Sequence, residues 1–225
     1  MGGPTDYQAI AAQLANPTGE AGIRIAANMN ASNGDMTRHA IDLLACPPHA
    51  EVLEIGPGNG KFASYVLSKG CGIHYTGADR SATMVAEAQR LNKADIDNGR
   101  MHFTWTDGIT FPFADRSFDR IVTVNTLYFW EDPTVQLAEI RRLLKPDGIF
   151  CLAIASRVFM EQLPFTAHGF NLYSPDEARD LLLANGFDTA ELTIRHRPTT
   201  GPGKQELTRE EVFICASGTG RQKNI

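Results

Sequence analysis

The residues with the clearest chemical pattern form a glycine-rich run directly after a short apolar segment. The run reads E-V-L-E-I-G-P-G-N-G and contains Glu54, Gly56, Gly58 and Gly60. Closely spaced glycines between a strand and a helix let a ligand approach the backbone where side chains would block it. The dinucleotide turn G-x-G-x-x-G would place its third glycine at position 61, which is Lys61. The spacing therefore argues against NAD or FAD, and the Glu54 carboxylate favours a cationic ligand over a pyrophosphate.

Four further motifs follow along the chain. Y-T-G-A-D ends at Asp79 and continues as D-x-S-x-x-M, W-T-D-G contains Asp107, F-P-F-A-D-R-S-F-D ends at Asp119, and L-L-K-P-D-G-I contains Asp147. With the glycine run, this ordered set resembles the class I S-adenosylmethionine-dependent methyltransferases, whose first motif is E/D-x-G-x-G-x-G. The resemblance covers roughly residues 50–155, and Asp147 stands where the family has a glycine. The set is most similar to the branch that modifies small molecules, including quinone methyltransferases.

The resemblance implies S-adenosylmethionine as cofactor and S-adenosylhomocysteine as product. It assigns Asp79 to the ribose hydroxyls, which a carboxylate can accept, Asp107 to the adenine amino group, and Met84 to a contact near the adenine. Asn125, at the end of the fourth strand, either contacts cofactor or acceptor or serves a turn, and Asp119 is expected to be structural. The predicted cofactor-binding residues are Glu54, Gly56, Gly58, Gly60, Asp79, Arg80, Met84, Asp107, Gly108 and Asn125.

The implied reaction is methyl transfer by in-line displacement, which depends mainly on holding the acceptor close and aligned. A general base is needed only if the acceptor is protonated at the working pH. No catalytic residue is assigned; the candidates are His168, Tyr128 and His39. Aromatic residues concentrate at 128–130 and in a long insertion at 157–173. With the helical residues 29–33, these segments predict a pocket for a small, largely apolar or aromatic acceptor, whose methylated atom the sequence leaves open.

Two other functions remain as alternatives. One is a regulatory module that binds the cofactor without catalysis. The other is an RNA or DNA methyltransferase, which the formal net charge of -5 and the sequence Asn125-Thr-Leu-Tyr128, in place of an N-P-P-Y motif, disfavour.

Composition points to a protein of a reducing compartment such as the cytoplasm. The 4 cysteines are scattered, so no metal site is predicted, and no secretory signal or membrane-spanning run is recognised. The oligomeric state and any movement of the N-terminal helices are left open.

The elements that must position these residues alternate between strand and helix from residue 50 onward. This pattern predicts a single α/β domain with a doubly wound, Rossmann-like parallel sheet. Its parts are an N-terminal helical cover (5–46), a cofactor-binding core (50–155), an acceptor-side insertion with C-terminal strands (156–216) and a tail (217–225). The resemblance implies seven strands in the order 3-2-1-4-5-7-6, the last antiparallel.

Individual boundaries follow from apolar runs, caps and breakers. Strands are predicted at 51–55, 73–78, 100–105, 117–124, 149–155, 192–197 and 211–216. Helices are predicted at 61–69, 81–93, from 133 to 144, and 175–185. A flexible link is predicted at 198–203, and the insertion is expected to lack clear helix or strand.

Overall fold

The computed structural model describes residues 5–202 and 204–218. Seven strands form one sheet with the predicted order β3-β2-β1-β4-β5-β7-β6. β1 to β5 pair in parallel, whereas β7 is antiparallel to both of its neighbours, β5 and β6. The strands are β1 (Glu51–Ile55), β2 (His74–Asp79), β3 (Met101–Trp105), β4 (Phe118–Val124), β5 (Leu144–Ala155), β6 (Thr189–Thr200) and β7 (Glu206–Ser217).

Helices connect the strands and cover the sheet. They are α1 (Tyr7–Ala15), α2 (Gly19–Leu43), α3 (Ala63–Leu67), α4 (Ala82–Leu91), α5 (Lys93–Asp97), α6 (Pro133–Leu143), α7 (Arg157–Met160) and α8 (Pro175–Ala184). Short 3-10 helices lie between β4 and α6, at Leu127–Phe129, and between α7 and α8, at Pro164–Ala167. No described helix has the length and apolar character needed to cross a lipid bilayer.

The helix-start signals in the sequence are confirmed. Ser81 caps α4 by accepting from the Met84 N–H, and Asp132 caps α6, which has proline at its first position. Ser174 and Glu177 form a reciprocal capping box at α8. Each cap satisfies backbone N–H groups that have no partner within their helix, so the helices begin where the sequence places them.

Two apolar cores lie on opposite faces of the sheet. One joins β4 and β5 to α6 and α8 through residues such as Leu137, Phe150 and Leu182. The other joins α2, α3 and α4 to the sheet through residues such as Met36 and Val52. β5 is buried from Cys151 to Ala155 on both faces, as its continuous apolar sequence predicts.

Several predicted boundaries are wrong. β5 begins at Leu144, because a register irregularity between Phe118 and Arg120 lets the strand absorb the Lys-Pro-Asp-Gly run. The helix predicted at 81–93 divides into α4 and α5 at Asn92. The insertion contains α7 and a 3-10 turn.

The predicted link at 198–203 is also wrong in large part. Pro198 pairs with Thr208 and Thr200 with Glu206, so β6 and β7 form a long hairpin. Proline is tolerated there because β6 is the edge strand, where a missing N–H leaves no partner unpaired. The predicted tail begins inside β7, which ends at Ser217; residues 219–225 lie outside the described residues.

Candidate functional site

One large cavity of about 620 Å³ opens at the carboxyl ends of the parallel strands. This edge of an open α/β sheet is where ligands usually bind. The glycine run after β1 lies on one side, and the aromatic residues of the insertion lie on the other. α1 and α2 cover it, with Leu14, Pro17 and Met29 among the lining residues.

The glycine turn is shaped by backbone conformations that favour glycine. Gly56, Gly58 and Gly60 all have positive φ angles, of 73°, 56° and 65°. A Cβ on Gly58 would meet no atom within 4 Å, so this position faces open space in the cavity lining. A Cβ on Gly60 would lie 2.7 Å from the Phe103 ring. Gly60 is not among the residues that line the cavity and packs closely against Phe103 of β3, while its role in cofactor binding stays a prediction.

Asp79 links the glycine turn to the end of β2. Its Oδ2 accepts from the Gly58 N–H at 2.9 Å, and its Oδ1 accepts from the Ser81 N–H at 2.8 Å. Only 6% of Asp79 is exposed, and burial raises the pKa of its carboxyl from 3.8 to about 6. The carboxylate lines the cavity, and no cationic side chain of the described residues pairs with it, although the charge of the nearby Arg80 acts to lower its pKa.

Glu54 provides a second buried carboxyl group at the cavity. The Tyr75 hydroxyl donates to its Oε2 at 2.7 Å, and Glu54 is 5% exposed. Burial and, to a smaller extent, the nearby Asp79 charge raise the pKa of Glu54 from 4.5 to about 7. Two buried acids without a cationic partner form a site that a positively charged ligand would stabilise.

The loop after β3 carries Asp107 and Gly108, and both line the cavity. Asp107 is exposed, and its Oδ1 already accepts from the Ile109 and Thr110 N–H groups at 2.8 Å each. Gln136 of α6 donates to the Gly108 carbonyl. The Gln136 Oε1 is buried beside this loop and has no hydrogen-bond partner among the described residues.

The remaining predicted cofactor residues also line the cavity. Met84 is fully buried, whereas Arg80 is exposed at the rim. Asn125 has a positive φ of 57°, and its Oδ1 accepts from the Ala155 N–H at 3.2 Å. Asn125 therefore holds the ends of β4 and β5 together while presenting part of its side chain to the cavity.

The three candidate bases lie in different surroundings. His168 is exposed and His39 is packed edge-on against Phe213, and neither lines the cavity. Tyr128 does line it, but its hydroxyl donates to the Ala155 carbonyl at 2.8 Å and accepts from the Ala155 N–H. Burial also raises the pKa of Tyr128 well above its usual range. Its hydroxyl bonds to the end of β5, and a role as general base stays a prediction for all three residues.

Asp119 lies away from the cavity, as expected for a structural residue. It accepts from the Glu51 N–H at 2.9 Å and from the Lys145 ammonium at 2.7 Å, near the amino ends of β1 and β4. It therefore fixes the start of the sheet, not the ligand site.

The acceptor side of the cavity contains the predicted aromatic residues. Phe129 and Phe170 pack with their ring centroids 4.7 Å apart, and Phe165 lies 5.8 Å from Phe170. Met29 and Asn33 of α2 lie across from them in the same lining. Sequence reasoning missed Arg209 of β7, which is 8% exposed and also lines the cavity.

Comparison with known proteins agrees with this geometry. Residues 53–152 match the methyltransferase domain family. The chain is 27% identical over 180 residues to O-methyltransferase resE of Aspergillus sclerotiorum, covering 73% of this chain and 65% of that protein. A further O-methyltransferase, from Pyrenophora dematioidea, is covered over 66% of its length. The chain therefore spans slightly less than two thirds of these relatives.

Solved structures share the fold at low identity. One chain of the complex between the Haloferax volcanii Trm112 methyltransferase activator and a methyltransferase has a TM-score of 0.75 at 20% identity, covering 88% of this chain and 95% of its own. Haemonchus contortus phosphoethanolamine N-methyltransferase 2, solved with S-adenosylhomocysteine, has a TM-score of 0.69 at 16% identity, covering 96% of this chain and 61% of its own. Residues 53–152 thus match a methyltransferase domain, and the strand order and the glycine turn after β1 agree with the class I S-adenosylmethionine-dependent methyltransferases that the sequence resembles.

Proposed function

We propose that this protein transfers a methyl group from S-adenosylmethionine to a small, largely apolar or aromatic organic acceptor. The observation that carries the proposal is that one continuous cavity joins the glycine turn and its buried acids to the aromatic residues of the insertion. A cofactor on the first side and an acceptor on the second would face each other inside it. The fit to a cationic ligand rests on Glu54 and Asp79, two buried carboxyl groups without a bonded cation.

The residues that would hold the cofactor follow from their positions. Asp79 would accept from the ribose hydroxyls while it keeps the Gly58 turn in place. Gly58 would allow close approach of the cofactor to the backbone, since no side chain occupies that side. Glu54 would attract the cationic end. The buried Gln136 Oε1 would accept from the adenine amino group, a role for which Asp107 has few free positions.

When bound, S-adenosylmethionine would supply a sulfonium-activated methyl group for in-line transfer to an acceptor lone pair, with S-adenosylhomocysteine as the leaving thioether. The protein's part is to bind, align and dehydrate the acceptor. Phe129, Phe165 and Phe170 enclose the acceptor side and exclude water. Asn125 and Tyr128 fix the ends of β4 and β5, so the two halves of the cavity keep one separation.

The proposal is tested by a radiolabelled methyl-transfer screen against phenols, quinones, amines, thiols and carboxylic acids, with tRNA as a control. We expect label in at least one small aromatic class and none in tRNA. Cofactor binding without transfer to any of these compounds would favour the alternative of a regulatory module. The open acceptor side of the cavity argues against that alternative. Transfer to tRNA alone would overturn the choice of acceptor. The quinone-methyltransferase branch stays a prediction that the same screen examines.

A further inference from the structure

Arg209 is a buried cation on the acceptor side of the cavity. It lies on β7, just beyond the level at which β5 ends, and it is 8% exposed. Its guanidinium carbon lies 5.5 Å from the centroid of the Phe159 ring, in the insertion. Among the described lining residues, the only other cationic side chain is Arg80, which lies at the rim beside Gly108. Arg209 is therefore the one described cation within reach of an acceptor.

The guanidinium of Arg209 is only partly satisfied by the protein. Its Nη1 donates to the Ser32 carbonyl at 3.1 Å, and its Nη2 donates to the Asn33 Oδ1 at 2.7 Å. Its Nε is buried and has no hydrogen-bond partner within residues 5–202 and 204–218. Both of its partners are neutral, and no carboxylate of the described residues lies within ion-pair distance of it. A buried charge without a counter-charge is costly, so a ligand that supplies a negative charge would be stabilised there.

Neighbouring charges make the position more positive. Arg197 lies directly opposite Arg209 in the β6–β7 ladder, an arrangement of like charges that is unfavourable by itself. The nearest acids are already engaged: Glu211 pairs with Arg195 at 2.9 Å, and Asp35 pairs with Arg197 at 2.7 Å. The excess positive charge is therefore left at Arg209, which faces the cavity.

The geometry points to a carboxylate on the methyl acceptor, bound by Arg209. This inference rests on the proposed function and narrows its acceptor to an acid with an apolar or aromatic body. A guanidinium matches the planar, two-oxygen shape of a carboxylate, and the surrounding phenylalanines suit the apolar body. No described His, Lys or Cys lines the cavity. This lining suits an acceptor whose reacting group is already ionised at neutral pH and needs no such base. It also suits an acceptor that is held through an acid group separate from the reacting atom.

The test compares matched probes that differ only in the acid group, 2-naphthoate and 2-naphthamide. Calorimetry is run on the full chain, with and without S-adenosylhomocysteine. For the unaltered protein we expect naphthoate to bind at least about tenfold more tightly than naphthamide. Arg209→Met should remove this preference and leave naphthamide and S-adenosylhomocysteine binding within about twofold. Arg209→Lys should keep part of it, because the charge remains but the two-point geometry is lost.

Arg90→Met is the matched control, since Arg90 is an exposed residue of α4 that pairs only with Glu87 among the described residues. It should keep the full preference for naphthoate. Equal binding of the two probes to the unaltered protein, no binding of naphthoate, or a preference that survives in a folded Arg209→Met protein would each overturn the inference. Absence of S-adenosylhomocysteine binding would instead defeat the proposed function, so the two failures are distinguishable.

Discussion

The Tyr75 hydroxyl donates a 2.7 Å hydrogen bond to Glu54 at the buried end of β1. This bond favours the ionised carboxylate, but burial outweighs it and raises the pKa of Glu54 to about 7. Asp79, across the glycine turn, has a pKa raised to about 6 by burial. In the cofactor-free protein, both acids thus titrate close to neutral pH at the ligand site.

The first prediction concerns stability against pH. Between 4.5 and about 7, the native protein keeps a proton on Glu54 that the unfolded chain has released. The free energy of unfolding of the cofactor-free protein should therefore fall as pH rises through this window. Glu54→Gln should reduce the slope, as measured by urea unfolding at several pH values. An unchanged slope in a folded Glu54→Gln protein would contradict the raised pKa.

The second prediction concerns cofactor affinity against pH. A cationic ligand binds the ionised forms of Glu54 and Asp79 better, so binding should release protons and tighten as pH rises through about 6 and about 7. We expect at least about tenfold weaker binding at pH 5 than at pH 8. Calorimetry in buffers of different ionisation enthalpy measures the released protons directly. Affinity independent of pH would show that neither acid faces the cofactor.

The third prediction concerns Asp79, which holds the glycine turn and is proposed to contact the ribose. Asp79→Ala removes the acceptor of the Gly58 and Ser81 N–H groups and the proposed contact to the ribose. Hydrogen bonds to charged groups are worth about 1.5–3 kcal/mol each, so S-adenosylhomocysteine affinity should fall at least tenfold. Asp95→Ala, on the exposed helix α5, is the control and should leave affinity unchanged. Unchanged affinity in Asp79→Ala would place the ribose elsewhere.

The fourth prediction contrasts two glycines of the same turn. Gly58→Ala places a methyl group in open cavity space at positive φ, so it should cost about 1–2 kcal/mol of stability and greatly weaken cofactor binding. Gly60→Ala brings its Cβ within 2.7 Å of Phe103, so its loss of stability should be larger. Thermal unfolding and calorimetry on both proteins check this. If both folded variants bound the cofactor equally weakly, the assignment of Gly58 to cofactor contact and of Gly60 to packing would be wrong.

The fifth prediction concerns the acceptor side. Phe170 contacts Tyr128, Phe129 and Phe165, so Phe170→Ala should raise KM for an acceptor found in the transfer screen and leave cofactor affinity within about twofold. This point substitution leaves the core residues Phe159 and Met160 of the insertion in place. A weaker cofactor affinity with an unchanged acceptor KM would reverse the assignment of the two halves.

Much of the fold follows from local signals in the sequence. Ser81, Asp132 and Ser174 each begin a helix where a cap is expected, and the strand order agrees with the family resemblance. The ends of β5 and β6 could not be placed, because Pro146 and Pro198 look like breakers locally. Pairing with neighbouring strands decides those ends, and pairing is not visible in a single segment.

The candidate site also combines features that local sequence reveals with features that depend on the folded chain. The glycine turn and the acids at the ends of β1 and β2 are located by the sequence alone, because their spacing is local. The different roles of Gly58 and Gly60 depend on where Phe103 packs, which no spacing reveals. Arg209 lies 176 positions beyond its partner Asn33, and no motif surrounds it. Only the antiparallel hairpin brings it to the cavity.

The bonds from Arg209 to Ser32 and Asn33 also have a consequence for the order of assembly. They join positions 177 and 176 residues apart, so they form only after β7 has been synthesised. The turn, acids and strands of the cofactor side are all contained in earlier segments and can associate first. Contacts of such long sequence separation form late and slowly. Until β7 has been synthesised, the side of α2 that carries Ser32 and Asn33 therefore stays exposed to solvent. Chaperones would bind, or two chains would associate, through this exposed surface at that stage.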